Sequence, residues 1–138
     1  MLPGIKQFDL TNKTAVITGG SKGLGQAMAA GLASAGADIM IVSRNREESQ
    51  VAAKQIAKDF GHNALAHQCD VSNPDDAETL AAAAVKQLGR VDILINNAGI
   101  NTRGPIDELT YEQFREVQDI NVDGIWLCCR AILPHMKE

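Results

Sequence analysis

Three glycines at a fixed spacing follow a short apolar run near the start of the chain, and their backbone is suited to cradle a phosphate. Thr18, Gly19, Gly23 and Gly25 form the pattern T-G-x-x-x-G-x-G behind residues 15–17. Helical spacing begins directly after the turn, and the first N–H groups of a helix attract anions because they lack partners within the helix. Glycine also lets a pyrophosphate approach the backbone without meeting a Cβ. The pattern predicts a nucleotide-phosphate site, with a plain strand-to-helix turn as the alternative.

Two better-known phosphate-binding patterns do not fit this turn. The G-x-G-x-x-G fingerprint, started at Gly23, would place Met28 where glycine or alanine is needed. A P-loop requires lysine directly after its last glycine, whereas Lys22 precedes Gly23. The spacing therefore indicates a different class of glycine-rich turn.

A basic residue follows the second apolar run, where an α/β dinucleotide site reads the adenosine ribose. Residues 38–42 form this run and Arg44 comes two positions after it. The nearest acids, Glu47 and Glu48, lie inside the helix predicted next. An acid at the end of the strand would bind a free 2′-hydroxyl, but a guanidinium matches a 2′-phosphate, and Lys22 would add a second positive charge. We expect NADP(H) to be preferred and NAD(H) to be possible, unless both cations are simply solvated.

Polar residues follow the third and fourth predicted strands. Asp70 comes after one strand, and residues 96–99, with the sequence Asn-Asn-Ala-Gly, end the next. Ligands of open α/β folds bind outside the carboxyl ends of the strands. We expect Asp70 to contact an adenine ring and the Asn-Asn-Ala-Gly turn to leave room for a ribose or nicotinamide. A turn acid before a helix and a plain asparagine–glycine turn are the alternatives.

Strand-like and helix-like segments alternate along the chain. The predicted strands cover 13–18, 38–42, 64–68 and 91–95. Asn45 with Glu48, and Asn73 with the proline that follows it, are typical helix starts. Uninterrupted apolar runs favour parallel strands covered on both faces, and their alternation with helices requires right-handed crossovers. We predict an α/β fold: a doubly wound parallel sheet of about four strands with helices on both faces.

The pattern from Thr110 onward is helical. Thr110 and Gln113 predict a capping box, and beyond Gly124 the helix is apolar nearly all round. Such a helix either lies between the sheet and a second helix, for instance from a partner subunit, or is a single buried core helix. At the other end of the chain, Phe8 and Leu10 are expected to anchor a leader segment on the surface.

Composition narrows the classes of function. The 138 residues, 45% hydrophobic and 22% charged, fit one globular domain. The net charge of −4, without a basic cluster, argues against nucleic-acid binding. No apolar run reaches membrane-spanning length and the N-terminus lacks a signal-like region, so a cytoplasmic protein is expected. The three cysteines form no C-x-x-C motif and are interpreted as core residues in a reducing compartment, and no residue is assigned to a metal.

Taken together, the glycine turn, Asp70, residues 96–99 and the stretch Asn121-Val122-x-Gly124 resemble the short-chain dehydrogenase/reductase family, over nearly the whole chain. The resemblance implies a Rossmann-type fold that binds NAD(H) or NADP(H) and moves hydride between nicotinamide and a carbonyl or alcohol. It implies cofactor contacts along the glycine turn, at the 2′-phosphate, at the adenine and at the nicotinamide ribose. In that order, these residues are Gly19, Ser21, Lys22, Gly23, Leu24 and Gly25, then Arg44, then Asp70 and Val71, then Asn97, Ala98 and Gly99. Asn121 would be the catalytic asparagine that places a water in a proton relay, with a helix-kinking polar residue as the alternative.

The chain departs from the family pattern in its acid/base residues. In the family, a serine and a Tyr-x-x-x-Lys pair follow the asparagine helix, and the tyrosine acts as general acid/base. Here the single tyrosine is Tyr111, with Arg115 four residues later. Tyr111 precedes Asn121 and arginine does not release its proton, so it is rejected as the active tyrosine. Residues 1–138 are interpreted as a single dinucleotide-binding domain, the N-terminal part of a Rossmann-type sheet, truncated before the catalytic pair and inactive alone.

The resemblance predicts that the parent protein is an NADP(H)-dependent short-chain oxidoreductase of small carbonyl or alcohol substrates. Sugar acids and 3-oxoacyl thioesters are candidates, and residues 101–105 are similar to gluconate 5-dehydrogenase-like members. The family implies a homo-oligomer in the full-length form, with neither a nucleic-acid nor a membrane partner. A nucleotide-binding fragment or interaction module without catalysis is the alternative. A sugar-nucleotide epimerase relative is less favoured because its usual G-x-x-G-x-x-G turn is absent.

Overall fold

A computed structural model describes residues 4–137 of the chain, and the central feature is a parallel sheet with helices on both faces. The strands are β1 (Thr14–Thr18), β2 (Asp38–Ser43), β3 (Ala64–Gln68) and β4 (Ile93–Asn96). The helices are α1 (Gly23–Ser34), α2 (Arg46–Phe60), α3 (Pro74–Leu88), α4 (Tyr111–Gln118) and α5 (Gly124–Met136). A short 3₁₀ helix (Gly4–Phe8) precedes β1, and one π-helical turn (Asp119–Asp123) joins α4 to α5. The predicted fold class is confirmed.

The strand order is β3-β2-β1-β4, and all three pairings are parallel. The chain runs outward from β1 to β2 and β3, then crosses back to place β4 on the other side of β1. The direction of winding therefore reverses between β1 and β4, and open α/β sheets bind ligands at the carboxyl edge beside such a reversal. This topology places the end of β1 and the end of β4 side by side.

Alternation of side chains along the strands builds two separate cores. In β1, Ile17 faces the core with α1 and α2, and Val16 faces the core with α3 and α5. In β2, Ile41 and Met40 divide between the same two cores, and all four of these side chains are fully buried. Successive side chains of a strand point to opposite faces, so an uninterrupted apolar run serves both cores.

The predicted helix starts are confirmed. Asn45 accepts a hydrogen bond from the Glu48 N–H, and Asn73 caps α3 in the same way with Pro74 as the first helical residue. Thr110 and Gln113 form the capping box at α4. These contacts are local in sequence, which is why they could be predicted from residue type and spacing.

Three features differ from the sequence-based expectations. Phe8 is 64% exposed and does not anchor the leader, whereas Leu10 packs against the core with α1 and α2. The helix predicted from Thr110 onward is interrupted by the π-helical turn. The last helix contacts both β4 and α3, but it is not a single buried core helix within residues 4–137, because Trp126 is 60% exposed while Cys128 is fully buried. Coverage of its outer side by a partner subunit stays a prediction.

Among residues 4–137, no helix combines the length and apolar character needed to cross a bilayer.

Candidate functional site

A cavity of about 370 Å³ opens at the carboxyl edge of the sheet, where β1 and β4 meet. This volume is within the range of pockets that hold small molecules. Nine of the twelve predicted cofactor-binding residues line this cavity: Gly19, Ser21, Lys22, Arg44, Asp70, Val71, Asn97, Ala98 and Gly99. The structure therefore brings together residues from the ends of all four strands.

The glycine turn beneath this cavity depends on close backbone contacts. Gly19 has φ of +63° and lies against the Ala98 backbone, so that a Cβ on Gly19 would come within 2.9 Å of the Ala98 Cα. A Cβ on Gly25 would overlap the Gly19 carbonyl oxygen. Gly23 has φ of +58° and is exposed. Glycine is therefore favoured at this position by the backbone conformation and not by lack of space. Gly23 and Gly25 thus shape the turn without lining the cavity.

The N-terminus of α1 differs from those of α2, α3 and α4, each of which is capped by a side chain. Lys22 occupies the capping position of α1 in an extended conformation, and its side chain makes no capping hydrogen bond. The first N–H groups of this 12-residue helix are therefore left to other partners, at the cavity. Unpaired N–H groups and the helix dipole favour an anion at this position.

Thr18 ties the end of β1 to the turn after β4. Its Oγ1 accepts hydrogen bonds from the backbone N–H groups of Asn97 and Ala98, both at 3.1 Å. The Asn97 side-chain Nδ2 donates to the Gly19 carbonyl at 3.0 Å. The glycine turn and the Asn-Asn-Ala-Gly turn are consequently held as one unit, although they are nearly 80 residues apart in sequence.

Two cations and one carboxylate are among the residues that line the cavity. Lys22 and Arg44 are the two cations. Glu48, which was not predicted as a site residue, lines the same cavity and pairs with Lys22 at 3.4 Å between Oε2 and Nζ. The Glu48 side chain is 43% exposed, so this ion pair is partly solvated.

Asp70 lies at the end of β3 and is organised by its neighbours. Its Oδ1 accepts hydrogen bonds from the backbone N–H of Ser72 at 3.0 Å and from the Ser72 hydroxyl at 2.7 Å. Its own N–H donates to the Asp76 carboxylate at 2.8 Å. Val71 is buried beside it and packs in the core with α3 and α5. This arrangement leaves Asp70 fixed on the cavity wall.

Asn121 is in the π-helical turn and does not line the cavity directly. Its side chain hydrogen-bonds both backbone groups of Ile100, which does line it: Oδ1 accepts from the N–H and Nδ2 donates to the carbonyl, each at 2.8 Å. In this structure Asn121 therefore positions the segment after β4.

Leu24 is a predicted site residue whose side chain does not face the cavity. It is 79% exposed in the first turn of α1, and its side chain does not line the cavity. Sequence reasoning missed seven lining residues: Val42, Ser43, Asn45, Glu48, Cys69, Ile100 and Ile120. Ser43 and Asn45 flank Arg44, and that adjacency was an available signal. Glu48 comes from α2 and Ile120 from the π-helical turn, and only the tertiary fold brings them here.

Cys69 lines the cavity, but its environment opposes thiolate chemistry. Burial raises the pKa of the Cys69 thiol to about 12, and the neighbouring Cys128, Asp76 and Asp70 push it in the same direction. Burial likewise raises the pKa of Cys128 to about 11. Since the thiolate is the nucleophilic form, these cysteines are interpreted as core residues.

The winding reversal, the cavity at the strand ends and the uncapped helix N-terminus are together typical of α/β proteins that bind dinucleotides. The family model described as short chain dehydrogenase matches residues 13–138. The chain belongs to this family of oxidoreductases, so the predicted resemblance is confirmed at the level of the family.

Relatives and solved structures agree with this assignment. The chain is 39% identical over 129 residues to an uncharacterized oxidoreductase of Methylorubrum extorquens, covering 94% of this chain and 52% of the relative. It is similar to a short-chain type dehydrogenase/reductase from Mycobacterium marinum, with a TM-score of 0.90 at 37% identity, covering 94% of this chain and 52% of that one. L-sorbose reductase from Gluconobacter frateurii, complexed with NADPH and L-sorbose, gives a TM-score of 0.90 at 32% identity, covering 94% and 49%. The chain spans about half the length of the curated relatives it matches.

Proposed function

We propose that this chain is the NADP(H)-binding domain of an NADP(H)-dependent short-chain oxidoreductase. The observation that carries the proposal is that Lys22 and Arg44 both line the cavity that also holds the uncapped N-terminus of α1. A pyrophosphate fits the helix N-terminus, and a 2′-phosphate fits the two cations. The close approach of Gly19 and Gly25 to neighbouring backbone leaves no room for a Cβ at these two positions, which supports a turn that lets a dinucleotide approach the backbone.

Each part of the cavity is assigned to a part of the cofactor. Gly19, Ser21 and Lys22 would bind the pyrophosphate and adenosine ribose, and Arg44 together with Lys22 the 2′-phosphate. Asp70 and Val71 would face the adenine, and Asn97, Ala98 and Gly99 would flank the nicotinamide ribose. We retain Gly23 and Gly25 as residues that shape the turn, and assign Leu24 a contact only through its backbone N–H at the start of α1.

The nicotinamide ring, when bound, would supply the hydride chemistry, and the residues of this chain would bind and orient the cofactor. Asn121 contributes by fixing Ile100 at the nicotinamide end of the cavity, and we propose that the same residue serves the proton relay of the whole enzyme. A general acid is not provided by Tyr111, which is 70% exposed on α4 and does not line this cavity. We propose that residues 1–138 bind the cofactor without turnover and that the acid/base pair belongs to a longer parent protein.

For the whole protein we propose a small carbonyl or alcohol substrate. The similarity to an L-sorbose reductase favours a sugar or sugar acid over a 3-oxoacyl thioester. The exposed apolar side of α5, which includes Ile125, Trp126 and Leu133, supports a homo-oligomer in the full-length form.

Direct binding measurements test the proposed function. NADPH fluorescence titration of the purified chain should give a dissociation constant in the micromolar range, with weaker binding of NADH. Arg44→Ala should weaken NADPH binding about tenfold or more and leave NADH nearly unchanged, because only NADPH carries the 2′-phosphate. Arg46→Ala is the matched control, since Arg46 is exposed two residues away and does not line the cavity. A folded sample that binds neither nucleotide would overturn the proposal.

A further inference from the structure

The carboxylate of Glu48 lies where the proposed 2′-phosphate site needs an anion. Its Oε2 is 3.4 Å from the Lys22 Nζ and 3.5 Å from the Ser21 hydroxyl. All three residues line the cavity that Arg44 also lines. Lys22 and Ser21 therefore already contact an anion, and this anion is the Glu48 carboxylate of the same chain.

The position of Glu48 is fixed by the helix start as well as by the ion pair. Its backbone N–H donates to the Asn45 Oδ1 at 3.1 Å, which sets it at the third position of α2. Its side chain meets Lys22 at the N-terminus of α1, 26 positions earlier in the chain. Glu47, one residue earlier, is exposed and does not line the cavity.

A 2′-phosphate that binds beside Lys22 must compete with the Glu48 carboxylate for this cation. Two anions at one cation repel each other, and the phosphate carries more charge and more acceptor oxygens than the carboxylate. Binding of NADP(H) then requires the Glu48 side chain to leave Lys22, whereas a nucleotide with a free 2′-hydroxyl can bind with the ion pair intact. Glu48 can also accept a hydrogen bond from such a hydroxyl.

We propose that Glu48 is a specificity-determining residue that competes internally with the 2′-phosphate and restrains the preference of this chain for NADP(H) over NAD(H). The inference rests on the proposed function, because it presumes that a nicotinamide dinucleotide binds in the cavity. The proposal assigns to an acid within α2 the role of reducing the favourable effect of Arg44 and Lys22 on the binding of a 2′-phosphate. The preference of the chain for NADP(H) is thereby smaller than Arg44 and Lys22 alone would give.

The test compares Glu48→Gln with Glu47→Gln in direct binding of NADPH and NADH, measured by fluorescence titration at one fixed ionic strength. Both substitutions remove one negative charge from the first turn of α2, and circular dichroism checks that both variants are folded. The readout is the ratio of the NADH to the NADPH dissociation constant, from which the fraction of active protein cancels. We expect Glu48→Gln to raise this ratio about fivefold, in line with a partly solvated charge contact, and Glu47→Gln to change it less than twofold.

A second comparison identifies Lys22 as the shared partner. In a Lys22→Ala background, Glu48→Gln should change the ratio by less than half as much as in the parent chain, because the competed cation is gone. An unchanged or lowered ratio in Glu48→Gln, or an equal rise in both glutamine variants, would overturn the role of Glu48 while leaving the proposed function intact. Absence of binding of either nucleotide to the folded parent chain would instead overturn the proposed function.

Discussion

The side-chain amide of Asn121 is paired with both backbone polar groups of Ile100. Each hydrogen bond is 2.8 Å long, one accepted by Oδ1 and one donated by Nδ2. The pairing connects the π-helical turn to the segment that leaves β4, 21 residues earlier in the chain. π-Helical turns inside helices often occur at functional sites, and this one directs Asn121 toward the cavity edge.

Asn121→Asp should therefore destabilise the fold and disturb the cavity. A carboxylate retains the acceptor but places a second oxygen against the Ile100 carbonyl, where Nδ2 now donates. We expect a loss of about 1–3 kcal/mol in the free energy of unfolding, measured by urea denaturation at pH 7. Asn101→Asp, the same change at an exposed loop residue, should cost less than about 0.5 kcal/mol. Equal stability of Asn121→Asp and the parent chain would contradict a clamping role.

The hydroxyl of Thr18 should contribute more to the free energy of unfolding than its methyl group. Thr18→Val keeps the shape but leaves the N–H groups of Asn97 and Ala98 without the acceptor they share, so we expect a loss of about 2–3 kcal/mol by chemical denaturation. Thr18→Ser preserves the acceptor and should lose only about 1 kcal/mol from the missing methyl. The valine variant should also bind NADPH more weakly, because both turns at the cavity lose their connection. Thr18→Ser as costly as Thr18→Val would show that packing dominates instead.

Two glycines of the same helix should respond to alanine in opposite directions. Gly25→Ala places a Cβ against the Gly19 carbonyl oxygen and 2.5 Å from the Asn97 Nδ2, so the glycine turn must move and stability should fall by about 1–3 kcal/mol. Gly31→Ala meets no atom within 4 Å and should raise stability by about 0.5–1 kcal/mol through helix propensity. Thermal denaturation of both variants measures the difference. Stabilisation by Gly25→Ala would mean that the turn is looser than described.

The parts of the fold that could be predicted from sequence depend on neighbours in the chain. Continuous apolar runs identified the strands, and Asn45 and Asn73 identified helix starts, because capping joins residues two or three positions apart. The end of β4 could be assigned from its Asn-Asn-Ala-Gly turn alone. Such local signals are independent of how the elements later pack.

The features that sequence reasoning missed depend on contacts between distant residues. Glu48 looked like an ordinary capping-box residue, and its contact with Lys22 exists only because α1 and α2 lie side by side on one face. The π-helical turn arises where Asn121 meets Ile100, which helical periodicity does not encode. Leu24 was assigned by family position, but the direction of its side chain is set by the helix, which points it to solvent. Periodicity identifies helices and strands. Contacts between side chains of different helices and strands can be assigned only when the fold is known.

Asp92 joins the amino ends of β1 and β4, opposite the cavity, and its contacts give a pH dependence. Its Oδ2 accepts from the Thr14 N–H at 2.9 Å, and its Oδ1 pairs with Arg90 at 2.6 Å and with Lys13 at 3.4 Å. Burial alone would raise the pKa of Asp92, but the hydrogen bonds from Thr14 and Arg90 and the two positive charges outweigh it and hold the pKa below its usual value. A carboxyl group whose pKa is lowered by folding stabilises the fold in its ionised form.

Asp92→Asn should consequently destabilise the fold at neutral pH and much less in acid. Because the pKa of the unfolded state is about 3.9, the stabilisation from the carboxylate is fully present above about pH 5 and is lost as pH falls through the lower folded pKa. At pH 7 we expect Asp92→Asn to lose about 1–3 kcal/mol by urea denaturation, since hydrogen bonds to a charged group are replaced by weaker ones. Asp107→Asn, at an exposed loop position, should change the free energy of unfolding little at any pH. The gap between the parent chain and Asp92→Asn should narrow steadily below about pH 4, and a gap that stays constant down to pH 3 would show that shape and packing, not charge, give Asp92 its effect.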